Sequence, residues 1–154
     1  MPIACWSAHG RRIVDDYRLS DEPWPTSARA IADWAIRNGK WSFPTPRCAE
    51  DIAAAMREEY TTDKKGRRVR LLHPAAKKTD TGEQLVLWDD IRTAPRTHME
   101  ISFQQRRLGI VGDCRQFKQD VDSYNDSHPE AEPLQVVFDF SMDLAELEAA
   151  DNPA

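Results

Sequence analysis

Apolar residues recur at helical spacing in two stretches of the N-terminal half, alternate through the middle, and return to helical spacing over the longest run in the chain. The elements predicted are helices, a β region and a long helix, in that order. Ile31, Trp34 and Ala35 share one face of a helix over 27–38. Thr26 or Ser27, after Pro25, supplies its N-cap, and Asn38-Gly39 its stop. Trp41, Phe43, Pro44 and Pro46 form a rigid aromatic connector, after which Thr45 can cap a second helix with Pro46 at its first position. Cys48, Ile52, Ala55, Met56 and Tyr60 carry that helix to about Tyr60. Upstream, 11–19 would bury Ile13, Val14 and Tyr17 either as a short helix or as a strand, and Pro23 and Pro25 close it in both cases.

After Asp63 the period becomes that of a strand. Lys65-Gly66 makes a turn, Val69 and Leu71 alternate with Arg68 and Arg70 over 67–73, and Gln84-Leu85-Val86-Leu87-Trp88 reads as a second strand. A polar, lysine-bearing loop from Pro74 to Gly82 joins the two. Over 95–128, Met99, Phe103, Ile110, Cys114, Phe117, Val121 and Tyr124 line one stripe of a long helix, with Arg107 midway across its widest gap and Pro129 beyond its end. Gly109 and Gly112 each cost about 1 kcal/mol against Ala in a helix, so a break beside them is the alternative. Within the acidic segment 129–154, Leu134 to Phe140 reads as a strand with Val136, Phe138 and Phe140 on one face, and Leu144 and Leu147 mark a short terminal helix. The fold class expected is α+β, in a single domain over 1–154.

Charge sharpens this outline. The 154 residues carry a formal net charge of −5, but 64–78 holds Lys64, Lys65, Arg67, Arg68, Arg70, Lys77 and Lys78 with no acid, a block of +7. From Gln119 onward ten acids and no Lys or Arg make a block of −10. The chain is a basic middle with an acidic end. Its three cysteines, Cys5, Cys48 and Cys114, are odd in number and far apart, which fits small apolar core residues better than a disulfide framework or a metal knuckle. No apolar run reaches the roughly 18 residues of a membrane span, and the first residues lack a basic flank before such a run. A cytoplasmic location without membrane contact is expected.

Helix, helix and basic two-stranded hairpin, with 11–19 completing three helices, is an element order over 11–89 that resembles winged-helix domains. The resemblance covers about half the chain. It implies that the last helix before the hairpin reads DNA and that the hairpin is a wing touching phosphate or the minor groove. The helix from Arg47 to Tyr60 sets Glu50, Asp51, Glu58 and Glu59 against Arg47 and Arg57, a poor match to a polyanion. The expected nucleic-acid contacts are therefore Lys64, Lys65, Arg67, Arg68, Arg70, Lys77 and Lys78 of the wing, with Arg106 and Arg107 on the long helix, and DNA is favoured over RNA. The plainer alternative is a solvated face whose lysines guard a sheet edge.

The long stripe reads as the seam of a helical pair or as packing within the domain. Phe103, Ile110 and Phe117, with Val136, Phe138 and Phe140, are the candidate surface for a second copy or another protein. Arg107 either covers apolar surface with its stem or meets an anionic partner. The acidic end would aid solubility, screen the basic hairpin, or dock on a partner. No Gly-rich phosphate loop, Gly-x-Ser-x-Gly elbow or His-Glu-x-x-His helix is present, so no catalytic residue, metal ligand or cofactor is assigned. His98 and Glu100 are two apart and would face different sides of a helix. Asp89 and Asp90, with Glu100 and Asp113, are the nearest approach to a Mg²⁺ cluster, although carboxylates at element ends are commonly caps. The leading expectation is a small non-enzymatic nucleic-acid-binding protein. A protein-interaction adaptor is the alternative, and a metal-dependent phosphodiesterase the second.

Overall fold

The structure, a computed structural model, describes residues 4–41 and 45–151, and of 4–7, 45 and 46 the backbone alone. Phe43 and Pro44 of the connector lie outside the described residues. The elements are α1 (Ala4–Arg18), α2 (Ala28–Arg37), α3 (Thr45–Arg57), β1 (Tyr60–Thr62), β2 (Arg68–Arg70), β3 (Leu72–Lys78), β4 (Gln84–Asp90), α4 (Arg96–Ser127) and α5 (Ser141–Asp151). The class is α+β. Two compact units divide the chain, Met1–Gln105 and Arg106–Ala154, with the boundary inside α4.

The first unit is built on three helices. The stretch 11–19, open to either assignment from its sequence, is the C-terminal part of α1 apart from Leu19, and it buries Ile13, Val14 and Tyr17. These meet Ile31, Trp34 and Ala35 of α2 and Cys48, Ile52 and Met56 of α3. Each large side chain removed from water here is worth roughly 1.5–3 kcal/mol, which is what holds helices of ten to fifteen residues that would be marginal alone. Ser27 caps α2 by accepting from Ala30 N at 3.1 Å. At its other end Gly39, at φ 67°, lets Lys40 N reach Ala35 O at 2.7 Å. The third helix stops at Arg57, three residues short of expectation, because Tyr60 belongs to β1. Gly10 sits at the closest approach of α1 and α3, where an added Cβ would come 3.0 Å from the Ala55 Cβ.

The β region differs from expectation in one respect. Residues 67–73 do not form one strand with a long loop behind it. Instead β1 and β2 pair antiparallel around a turn at Gly66, and β3 and β4 form a second hairpin from Leu72↔Asp90 to Lys78↔Gln84. Pro74, assigned to the loop, lies within β3. It stands opposite Trp88, whose N–H points away from β3 to Thr26 O at 2.9 Å, so this is a pair that exchanges no ladder bonds and a missing N–H costs nothing. The same contact is a bridge between Thr26 and Trp88, which adds a third strand position on the outer side of β4.

The next helix, α4, runs unbroken through Gly109 and Gly112. Its first turns belong to the first unit and dock on β3. His98 is buried and donates through Nε2 to His73 O at 2.8 Å, and Phe103 packs edge-on against His73. Gln105 gives both ends of its amide to Ala76, accepting from N at 2.9 Å and donating to O at 2.8 Å, so one residue of the open β3 edge is occupied by a side chain.

In the second unit, the strand expected over 134–140 is not a strand. Residues 132–140 form neither helix nor ladder, and Leu134 and Phe138, four residues apart, meet α4 at Asn125 and Phe117, eight residues apart, which is the reach of extended backbone. They run antiparallel to α4, with Leu134 N and O both bonded to the Asn125 amide at 2.9 Å and Phe138 edge-on to Phe117 at 6.3 Å. Asp139 then caps α5 by accepting from Ser141 N.

The α1–α3 crossing yields a test. Gly10→Val overfills the contact with Ala55, and destabilisation by roughly 1–3 kcal/mol is expected. Urea unfolding of the full chain should show a lower midpoint at unchanged slope.

Candidate nucleic-acid interface

The two-hairpin arrangement splits the basic block. Lys64, Lys65 and Arg67 surround the β1–β2 turn, Arg68 and Arg70 lie on β2, and Lys77 and Lys78 end β3 beside the second turn. Lys64, Lys65, Arg67, Arg68 and Lys78 are exposed, while Arg70 and Lys77 are half-buried.

The first turn is shaped by a carboxylate. Asp63 accepts from Lys65 N and Arg67 N at 2.9 Å and from Arg67 Nε at 2.7 Å. The Arg67 side-chain hydrogen bond, reinforced by its backbone bond, holds the Asp63 carboxyl below its ordinary value. This explains why Lys65 and Gly66 turn here, and it also removes Arg67 from the free cations that the sequence suggested. Arg68 is used differently: its guanidinium stacks 3.7 Å from the centroid of the Tyr60 ring, which orients the charge without neutralising it. Among the described residues, Lys64, Lys65, Arg68, Arg70, Lys77 and Lys78 form no ion pair with a carboxylate.

The outer face of α3 presents Arg47, Glu50, Asp51 and Arg57, with Glu58 just past its end, charges of both signs. Arg57 leans over the Trp88 ring at 5.7 Å, a contact that no helical pattern foretold. Arg106 and Arg107 are exposed on α4, in the second unit, and are not part of either hairpin. Of the candidate partner residues, Phe103 is half-exposed beside His73, Ile110, Phe117, Phe138 and Phe140 are exposed, and Val136 is half-buried.

Three of the four carboxylates considered for a metal, Asp90, Asp89 and Glu100, are otherwise engaged. Asp90, 1% exposed, takes Arg18 Nη2 at 3.0 Å and Arg92 Nη2 at 2.7 Å on Oδ2, and Arg92 Nε and N on Oδ1. Burial alone would raise its pKa. The Arg92 hydrogen bonds and charge, with Arg18, outweigh that and bring it to about 2. Asp89 Oδ1 accepts from Asp90 N, and Glu100 pairs with Arg96. Among the described residues no group of three or more His, Cys, Asp or Glu side chains could hold a metal ion. Cys48 is a buried thiol raised to about 11 by desolvation first and by Asp51 and Asp33 second, as befits a core residue. Cys114 is half-buried, and the Cys5 side chain lies outside the described residues. No described helix is long and apolar enough to cross a membrane.

Comparisons with known protein families, with curated proteins and with solved structures found no match.

Asp90 provides a pH test. Its folded-state carboxyl titrates near 2, below the ordinary 3.8, so its contribution is complete above about pH 4 and is lost as pH falls through 2. Asp90→Asn should cost about 2 kcal/mol at pH 7 and flatten the acid limb of the stability profile, read from urea midpoints between pH 7 and pH 2.

Proposed function

We propose that this chain binds nucleic acid non-enzymatically, through backbone phosphates met by the cations of its two hairpins, with the long helix serving self-association or partner docking. The observation that carries the reading is that six of the seven cations in 64–78 lack a carboxylate partner among the described residues, Arg67 with Asp63 being the exception. Clustered cations of this kind release counterions on meeting a polyanion and give affinity with little sequence information. The mixed charge of the exposed α3 face supports phosphate contact by the hairpins over base reading by the helix.

A winged-helix arrangement is supported by element order: three helices precede the β3–β4 hairpin, and Thr26, between α1 and α2, bridges to β4. On that ground duplex DNA is favoured over RNA, and the β3–β4 turn with Lys77 and Lys78 takes the place of the wing. The β1–β2 hairpin is then an added basic element beside it. A cytoplasmic location accords with this role.

The test is anisotropy of two unrelated labelled duplexes and one RNA over a salt series. Lys64→Ala with Lys65→Ala should weaken binding equally on both duplexes and lower the slope of log affinity against log salt by up to about 1.8, near 0.9 for each phosphate that is no longer neutralised. Unchanged affinity and slope in that variant would remove the assignment.

A further inference from the structure

The second unit has an unusual property for ordered chain: among its described residues, 106–151, none is buried. Of the sixteen exposed large apolar side chains among the described residues, twelve fall between Leu108 and Leu147. Ordering a residue costs roughly 1–2 kcal/mol in backbone entropy, and an 11-residue helix such as α5 is marginal alone. A unit with no fully buried residue among those described offsets this only in part.

The exposure is patterned. Counting along α4, Ile110, Phe117 and Tyr124 fall seven apart, and Cys114 and Val121, continued by His128 just past the helix end, form a second row offset by four, the two-row spacing of a coiled-coil seam. The extended segment 132–140 lies against the helix, and the Cys114 row is half-buried. The other row stays open, with Ile110 53%, Phe117 52% and Tyr124 51% exposed. Phe138 and Phe140 flank it at 38% and 44%. At about half exposure, and at 150–250 Å² for each large side chain, the five side chains of this face present on the order of 500 Å² of apolar surface. That lies within the 300–600 Å² of the largest, often functional, patch on a monomer, and it is about the apolar share, a little over half, of the roughly 800 Å² that each partner contributes to a standard interface.

Charge identifies the occupant. The cations of this unit, Arg106, Arg107, Arg115 and Lys118, all lie in the first part of the helix with Asp113 as the only acid among them, and every charge from Asp120 onward is negative. Lys118 is paired with Asp122 in its own helix, but Arg106, Arg107 and Arg115 have no carboxylate partner among the described residues. A parallel second copy would set like charge on like. An antiparallel copy sets the cationic half of each helix on the acidic half of the other, and it opposes the helix dipoles.

We propose that Arg106–Ala154 pairs with the same unit of a second chain, α4 against α4 antiparallel. The two-fold axis passes by Phe117, so that each Ile110 meets the partner's Tyr124, and Phe138 and Phe140 close the flank. This names the partner left open in the functional reading; it rests on the second unit alone, so its failure would leave nucleic-acid binding by the hairpins untouched.

The full chain should run as a dimer in light scattering at micromolar concentration. Phe117→Asp should return it to a monomer whose near-ultraviolet spectrum, dominated by the tryptophans of the first unit, is unchanged. Orientation is read by oxidative cross-linking in a chain carrying Cys5→Ser and Cys114→Ser: Ile110→Cys alone should give no covalent dimer, whereas a mixture of Ile110→Cys and Tyr124→Cys chains should. A wild-type monomer at these concentrations would overturn the proposal. So would ready self-cross-linking of the Ile110→Cys chain, which requires parallel helices, and so would a Phe117→Asp chain that remains dimeric.

Discussion

A single carboxylate connects the parts of the first unit. Asp90 closes the β3–β4 ladder opposite Leu72, accepts the guanidinium of Arg18 from the last turn of α1, and is wrapped by Arg92. Its carbonyl receives Thr93 N and Ala94 N in the turn that leads into α4. Burying one anion without compensation would cost several kcal/mol. Here the hydrogen bonds of two arginines and a backbone N–H offset that cost, and both arginines stay partly in water, where a cation is cheap to keep. The result is a joint between helices, sheet and long helix that depends on geometry as well as apolar contact.

Two side-chain amides extend the same logic to backbone that has no strand beside it. Gln105 mimics a neighbouring strand for Ala76, and Asn125 does so for Leu134. In each case one side chain satisfies both an N–H and a C=O. The β3 edge is thereby partly closed to pairing by another chain, which is the hazard of an open edge. At Leu134 the amide fixes the register of the extended segment on the helix, a task that apolar contacts alone perform loosely because they lack direction. Neither pairing is visible in composition or spacing, since an amide on a helix reads as one more polar surface residue.

What could be read from the chain follows from how local each signal is. The second helix was legible to within a residue because Ser27, the Ile31–Trp34–Ala35 face and Asn38-Gly39 are all local determinants. The long helix was legible through a repeat sustained over many turns, which two glycines did not interrupt. The β region was only half legible. Pro74, two alanines and two lysines hide β3 from any alternation rule, because its register is set by β4, the Thr26 bridge and the His98 contact. The basic residues were legible as a cluster, but their division between two hairpins and the capture of Arg67 by Asp63 depend on where the chain turns. The C-terminal alternation of Val136, Phe138 and Phe140 was real, yet alternation marks an extended backbone and says nothing of whether a strand lies beside it.

The two units solve the problem of stability in different ways, and the difference bears on how the basic block would act. The first unit has a core in which thirteen of its described apolar residues are buried together, and it carries exposed cations at its hairpin turns. The second has no buried residue among those described, and the proposed pairing would supply a core. In the proposed reading, a chain offering about six cations without carboxylate partners would bind a duplex weakly at physiological salt, since each phosphate contact is screened and sequence is not read. The proposed pairing through the second unit would join two such blocks. The second block would then meet the same polymer at the effective concentration set by the tether, and affinity would rise without any added contact in either block. Modest charge on a stable unit, combined with apolar surface on an incomplete one, is thus a coherent division of labour: in the proposed pair the acidic half of each α4 would neutralise the partner's cationic half instead of competing for the hairpins.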